Sequence, residues 1–258
     1  MSDQWDSYIC NVNDKLASIF LDLGIRTSVP DPIRPWLLWA FVPFKHPRPD
    51  GLSSQQEFQT LIAIEDVLNA SVLSACGAIL SGRITSDGRR EFYYYGTQPE
   101  GFEDAVAKCM ATFQGYSADC GEQFDPEWRQ YLDVLYPSDD DLERIKNRNL
   151  VDRQIELGDH PDIPREVDHF LYFENEAGRD DFANSVLAEG YRIVSKSQTE
   201  RGDRRYAINV AKVQTTQLEM IDKTVLALCK LARLHGGEYD GWGCVVETGA
   251  GNITQKPS

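Results

Sequence analysis

The feature that most constrains the fold is an order of elements that occurs twice. Judged by the spacing of apolar residues, each half of the 258-residue chain contains strand, helix, strand, strand, helix and strand. This order is typical of ferredoxin-like domains, in which two helices pack on one face of an antiparallel sheet. We therefore predict an α+β protein of two ferredoxin-like (βαββαβ) α/β sandwich domains with antiparallel sheets.

The domain boundaries follow from a change in composition at the middle of the chain. The segment 139–163 begins as the charged run DDDLERIKNRNLVDRQIELG and ends in a proline-punctuated stretch. It is predicted as a helical connector and linker between an N-terminal domain, 1–138, and a C-terminal domain, 164–258.

The first half is predicted to begin with two short strands before the repeated order. Ser54 and Glu57 have the spacing of a capping box at the start of a helix. Asp87-Gly88 suits a two-residue type I′ turn, since both central residues of that turn need positive φ. The predicted elements are strands Tyr8–Val12, Ile19–Leu23 and Trp36–Phe44, a helix after Ser54, hairpin arms Ile79–Thr85 and Arg90–Tyr95, a helix Phe102–Phe113, and a final strand Trp128–Tyr136.

The second half carries the same order with clearer ends. Gly190 is predicted to end the first helix, and Thr216 with Glu219 to form a capping box for the second. Gly236-Gly237 is predicted to stop that second helix. The predicted elements are strand Val167–Phe173, helix Arg179–Glu189, hairpin arms Tyr191–Ser197 and Arg205–Val213, helix Leu218–Leu234, and a last strand Gly243–Glu247.

The chain carries a strong excess of negative charge. Its 41 acidic and 26 basic residues give a net charge of −15 and a pI near 4.7. Such a surface repels nucleic acid and anionic membranes and attracts basic partners. We expect a basic protein partner, no direct nucleic acid and no membrane contact. The absence of a signal peptide or spanning segment, together with six scattered cysteines, predicts a cytoplasmic protein with reduced thiols.

Motifs for cofactors and catalysis are missing from the sequence. There is no phosphate-binding glycine loop, no G-x-S-x-G and no H-E-x-x-H. One cluster, Asp159, His160, Asp162, Asp168 and His169, has metal-ligating residue types. Asp168 and His169 would point to opposite faces of a strand, so we predict no metal site there. No cofactor and no catalytic residue is predicted.

The hexapeptide EYDGWG, Glu238–Gly243, concentrates two acids, two aromatics and two glycines between a helix and a strand. Glu238 and Asp240 could form a catalytic pair if one carboxyl group were held in an apolar pocket. The glycines could equally serve a turn, with Trp242 packed on the helix end. The third interpretation is an acidic, aromatic contact surface, because Trp and Tyr often dominate binding energy at interfaces.

The second half resembles the B-type regulators of ribonuclease E activity, small acidic proteins that bind and inhibit that endonuclease. The resemblance covers about Val167–Glu247 and rests on EYDGWG, with the Gly190-Tyr191 pair as weaker support. The first half is similar to a bacterial family of unknown function through Ile64–Asp66 and the GRIT-DGRREFYYY hairpin; such a domain occurs fused to the regulator-like one. Stand-alone regulators end in an acidic tail, whereas this chain ends in TGAGNITQKPS.

The predicted function is therefore a non-enzymatic regulator that binds a basic protein, with a ribonuclease E-type endonuclease as the partner that the resemblance implies. One alternative is an enzyme or small-ligand-binding protein that uses a cleft between the two domains. Another is an immunity or antitoxin protein that neutralises a basic toxin. The predicted partner-binding residues are Glu238, Tyr239, Asp240, Trp242, Asp139, Asp140 and Asp141.

Overall fold

The computed structural model describes residue 2, residues 4–199 and residues 202–248. It divides into two compact units, Met1–Ser138 and Asp139–Ser258, and the second unit includes the segment 139–163. Each unit has its own antiparallel sheet, with helices between the strands in sequence. The prediction of two ferredoxin-like α+β domains is confirmed.

The first unit places a ferredoxin-like sheet beside an added hairpin. Its sheet order is β1-β2-β4-β5-β3-β6, and all neighbouring strands are antiparallel. The last four strands have the ferredoxin-like order, and the β1-β2 hairpin widens the sheet next to β4. The elements are β1 Trp5–Val12, β2 Lys15–Asp22, β3 Trp36–Pro43, α1 Gln55–Cys76, β4 Ile79–Ser86, β5 Arg89–Gly96, α2 Phe102–Ala111 and β6 Asp119–Phe124.

The predicted final strand of this unit, Trp128–Tyr136, is wrong. Residues Gln130–Leu135 form a π-helical turn, and the last strand is the earlier segment β6. Trp128, Tyr131 and Leu135 are all fully buried, and their spacing of three and four residues is helical. The strand β6 has the polar sequence DCGEQF, so it lacks the apolar alternation by which strands are recognised.

Both predicted capping boxes are wrong, because Glu57 in the first and Thr216 in the second bind groups from other segments. Ser54 is the N-cap of α1 but makes no side-chain capping bond. The Glu57 carboxylate instead accepts hydrogen bonds from the backbone N–H groups of Lys45 and His46, each at 2.7 Å. The Thr216 hydroxyl lies 2.5 Å from the Arg165 guanidinium, and Gln217 is the N-cap of the second-unit helix.

The predicted turns are confirmed. Asp87 and Gly88 have φ of 48° and 76°, as a type I′ turn requires, and Gly190 follows its helix with φ of 85°. Gly236 likewise has φ of 69° after the last helix. Glycine and aspartate tolerate the left-handed region of backbone conformation, so this turn and these helix ends can be predicted from local sequence alone.

The second unit is a four-stranded ferredoxin-like sheet with one extra helix. Its strand order is β10-β7-β9-β8, with all pairs antiparallel. The extra helix, α3, packs on α5. The elements are α3 Asp139–Glu156, β7 Arg165–Phe173, α4 Glu176–Ala188, β8 Arg192–Gln198, β9 Tyr206–Gln214, α5 Leu218–Leu234 and β10 Gly237–Cys244.

The core of the second unit lies between its sheet and its helices. It combines inward residues of the central strands with one face of α4 and one face of α5. None of the described helices is long and apolar enough to cross a bilayer.

Candidate partner-binding site

The hexapeptide EYDGWG lies within an edge strand. The predicted bounds of the last strand, Gly243–Glu247, are wrong, because β10 runs from Gly237 to Cys244 and pairs with β7. The strand begins at a glycine that packing requires: a Cβ on Gly237 would lie 2.3 Å from Cε1 of Phe173. The second glycine of the Gly236-Gly237 pair therefore serves the sheet as well as the helix end.

A β-bulge sits in the middle of this hexapeptide. The register with β7 shifts between Tyr239 and Gly241, so that Asp240 is an extra residue, and Gly241 has φ of +147°. Strand side chains normally alternate between faces, and the extra residue resets that alternation. As a result Tyr239 and Trp242, three positions apart, both contribute to the buried core.

Tyr239 makes its polar contact inside the core. Its Oη lies 2.8 Å from Nδ1 of His169 on β7, and His169 is fully buried. Burial lowers the pKa of His169 to about 4, so the imidazole is neutral at neutral pH. Burial also raises the pKa of Tyr239, so the pair is uncharged and joins the two strands through a buried hydrogen bond.

Trp242 ties the edge strand to the extra helix. Its Nε1 donates to Oδ1 of Asn147 on α3 at 2.9 Å, and Nδ2 of Asn147 donates to Oδ1 of Asp222 on α5 at 2.9 Å. One buried amide thus bonds two other elements. Tyr239 and Trp242 are each 8% exposed, so their rings offer little free surface, and their contact with a partner stays a prediction.

The predicted acids lie in surface positions, and two of them approach the last turn of α5. Glu238 accepts a hydrogen bond from Arg204 at 2.8 Å. Asp139 and Asp140 lie 3.6 and 3.4 Å from the Arg233 guanidinium. Asp141 pairs with Arg144 at 2.9 Å, and Asp240 is exposed on the bulge. Exposed pairs of this kind contribute only about 0–1 kcal/mol each, so a partner can exchange them easily.

Three of the seven predicted residues, Asp139, Glu238 and Tyr239, meet around one depression of about 340 Å³. We call it the α3–β10 groove. It is lined by Asp139, Leu142, Glu143, Lys146, Arg204, Cys229, Arg233, Gly237, Glu238 and Tyr239. Sequence reasoning missed Glu143, Lys146, Arg204 and Arg233. The first two could have been found from helical spacing, since they follow Asp139 by four and seven residues.

The metal-ligating residue types noted in the sequence are held by other partners. Asp159 pairs with Arg165 at 2.5 Å in the interior, and Asp168 accepts from Asn209 at 3.1 Å. His169 faces Tyr239, as described above. Within the described part of the chain, no three His, Cys, Asp or Glu side chains are grouped as a metal site requires.

Comparison with protein families separates the two units. Residues 3–136 match the Family of unknown function (DUF695), which is more than half of the chain. The chain belongs to this family. Residues 144–244 match the family Regulator of ribonuclease activity B. The resemblances read from both halves of the sequence are confirmed.

Curated relatives with the same name as this second family match about two fifths of the chain. The chain is 27% identical over 103 residues to the Regulator of ribonuclease activity B of Proteus mirabilis, covering 39% of this chain and 72% of that protein. Identity to the protein of the same name is 24% in Pantoea ananatis, over 41% and 76% of the two chains, and 25% in Colwellia psychrerythraea, over 38% and 86%. A solved structure of an unknown protein from Galdieria sulphuraria aligns with 80% of this chain and 96% of its own chain at 9% identity. The TM-score of that alignment, 0.20, is too low to indicate a shared fold.

Residues 249–258, which differ in sequence from the acidic tail of the resembled regulators, lie outside the described residues.

Proposed function

We propose that this protein regulates a ribonuclease by binding to it through the α3–β10 groove, without catalysing a reaction. The observation that carries the proposal is that predicted acids far apart in sequence, Asp139 and Glu238, line one groove within the unit that matches the ribonuclease regulators. The partner segment is a stretch rich in arginine and lysine, of the kind that otherwise holds RNA phosphates. Occupying that segment reduces RNA cleavage.

Electrostatics supports a basic partner. The chain as a whole carries −15, which draws a basic segment towards it. In the groove, Glu143 pairs with Lys146 at 2.7 Å and Glu238 with Arg204 at 2.8 Å. A partner arginine replaces these internal cations at little cost, because the pairs it breaks are exposed.

The geometry of the acids favours binding over catalysis. General acid–base work requires a carboxyl group held in apolar surroundings, which raises its pKa. Glu238 is exposed and ion-paired, and Asp240 is exposed on a bulge. The buried polar pair, Tyr239 and His169, lies in the core.

The test is RNA cleavage by a purified ribonuclease E-type endonuclease in the presence of the full chain. We expect inhibition that weakens as salt rises from about 50 to about 500 mM, since salt screens exposed charges. The variant Asp139→Lys/Glu238→Lys reverses two groove charges and should lose inhibition tenfold or more. The matched control, Glu156→Lys/Glu219→Lys, changes the net charge equally at exposed sites outside the groove lining.

Equal loss of inhibition in both double variants would show that only net charge matters and would remove the groove from the proposal. Absence of binding to the endonuclease at every salt concentration would overturn the ribonuclease role. Capture of a basic toxin instead would then favour the immunity interpretation.

A further inference from the structure

The first unit contains a pocket where its sheet extends beyond α1. The β1-β2 hairpin widens the sheet on the side of β4, and a pocket of about 240 Å³ opens there. The floor comes from four neighbouring strands, because Ser18 pairs with Ile9 and Thr85, and Thr85 pairs with Arg90. The wall comes from Phe58 of α1 and from Arg48, Leu52 and Ser53 in the segment before it.

Three arginines converge on this pocket in a strongly acidic unit. Residues 1–138 contain 19 acids and only 10 bases, yet Arg48, Arg83 and Arg90 all line it. We call it the arginine pocket. Arg48 is exposed and pairs with Asp50 at 2.5 Å. The other two guanidinium groups lie deeper.

Arg83 and Arg90 share one carboxylate. Both pair with Glu65 of α1, and the Arg90 contact is 3.5 Å long. The Arg90 side chain is only 3% exposed, and its Nε has no hydrogen-bond partner among the described residues. Burial, and next to it the Arg83 charge, lowers the pKa of Arg90 to about 10. One buried and one half-buried cation share this counter-ion, which leaves positive charge that an incoming anion can neutralise.

The remaining lining supplies hydroxyl groups and apolar surface. Four hydroxyl side chains line the pocket: Ser7, Ser18, Ser53 and Thr85. Ile9, Phe20, Leu52 and Phe58 give it an apolar side, and Ile9 and Phe58 are 54% and 39% exposed. The pocket also lies beside the N-terminal end of the 22-residue helix α1, where the helix dipole favours negative charge.

From this arrangement we infer that the first unit binds a small phosphorylated molecule, with its phosphate on Arg83 and Arg90 and an apolar group against Phe58. Guanidinium groups hydrogen-bond phosphate through paired N–H donors. A phosphate has three terminal oxygens to accept from two guanidiniums and neighbouring hydroxyls, whereas a carboxylate has two. The inference concerns the first unit alone and does not depend on ribonuclease binding by the second.

The test is calorimetric titration of the full chain with phenyl phosphate, inorganic phosphate and benzoate at fixed ionic strength. We expect saturable binding of phenyl phosphate with a Kd below about 1 mM, and benzoate weaker by tenfold or more. Arg83→Gln should weaken phenyl phosphate tenfold or more. Arg89→Gln is the matched control, because Arg89 lies on the same hairpin, pairs with Glu91 and does not line the pocket; it should bind within twofold of the parent chain.

Two further variants separate ligand contact from folding. Ser53→Asp adds a negative charge at the half-buried rim, so it should abolish phosphate binding in a chain with unchanged circular dichroism. Phe58→Ala should weaken phenyl phosphate and leave inorganic phosphate unchanged. Absence of saturable phenyl phosphate binding, or equal affinity in parent, Arg83→Gln and Ser53→Asp chains, would overturn the inference. Benzoate binding as tight as phenyl phosphate would overturn its phosphate specificity.

Discussion

The two units share one strand arrangement and differ in what is added to it. Both contain a four-stranded antiparallel sheet with the ferredoxin-like order. The first unit widens that sheet with the β1-β2 hairpin, and the second adds α3 against α5. In each unit the candidate site lies at the addition: the arginine pocket beside the hairpin, and the α3–β10 groove beside α3. The common arrangement supplies the core, and the addition creates a concave surface with charged groups.

The units also differ in how they bury polar groups. The first buries Arg90 beside a second arginine with one shared carboxylate. The second buries Arg165 against a carboxylate of its own, Asp159, and buries Trp242 against the neutral side chain of Asn147. A buried cation that shares its carboxylate is a candidate for binding an anion, whereas a cation with its own carboxylate and a hydrogen-bonded neutral pair stabilise the fold. The following four predictions test the second unit's side of this contrast, in order of decreasing effect.

Trp242→Ala should have the largest effect and should be confined to the second unit. Removing a buried tryptophan leaves a cavity and an unpaired Asn147 carbonyl, at a cost of about 3–5 kcal/mol in the free energy of unfolding. Urea unfolding followed by circular dichroism measures this. Phe170→Ala is the matched control, since Phe170 lies on adjacent β7 but is 41% exposed, and its change should be near zero. Equal effects of the two variants would contradict the anchoring role of Trp242.

Gly241→Ala should destabilise the second unit by about 1–3 kcal/mol, because its φ of +147° lies where L-residues are strained. Gly243→Ala, two positions along the same strand, is the control. Gly243 has no positive φ, and a Cβ there would meet nothing within 4 Å. Urea unfolding of the two variants should therefore diverge; indistinguishable stabilities would show that the bulge does not need glycine.

Acid should destabilise the second unit through His169. Its folded pKa of about 4 lies below the unfolded value of about 6.5, so the unfolded state binds the proton first. The contribution of neutral His169 to the free energy of unfolding is fully present above about pH 6.5 and is lost as the pH falls towards 4. The loss is about 1.4 kcal/mol per pH unit, which amounts to about 2 kcal/mol between pH 7 and pH 5.

The measurement is the difference in unfolding free energy between pH 7 and pH 5 for the parent chain and for His169→Gln. The variant should lose this part of the pH dependence. His160→Gln, which replaces an exposed histidine of the same unit, should keep it. An unchanged pH dependence in His169→Gln would assign the acid sensitivity to other groups.

Arg204→Gln should have the smallest effect on stability, about 0–1 kcal/mol, because its pair with Glu238 is exposed. Although the variant loses a little stability, it should bind the endonuclease more tightly. Loss of an internal cation frees Glu238, so the endonuclease should bind more tightly, by less than about tenfold. A fluorescence-anisotropy titration measures the affinity, and weaker binding would contradict a basic partner segment in the groove.

Much of the fold could be predicted because its elements carry local signals. The helices have apolar residues at helical spacing, and the turns at Asp87-Gly88 and Gly190 have residues that tolerate positive φ. The strand β6 escaped prediction because an edge strand can form from polar residues when its backbone has a partner. The capping boxes failed because the Glu57 and Thr216 side chains bind groups from other elements.

The candidate site was predictable in part. The acids at Asp139 and Glu238 could be found from composition and from the hexapeptide, but their cations Arg204 and Arg233 come from other segments. The arginine pocket was not foreseen, because its three arginines are separated by up to 42 residues in an acidic unit. Strand pairing alone brings Arg83 and Arg90 together with the added hairpin.

By itself the sequence determined the order of the elements apart from β6 and the π-helical turn, the α+β class and the identity of both families, since periodicity and short motifs are local properties. Only the tertiary structure decided the direction of the side chains in EYDGWG. One extra residue in the strand resets the alternation of faces, and that reset exists only against the register of β7. It sends both aromatic rings into the core and leaves Glu238 and Asp240 at the surface.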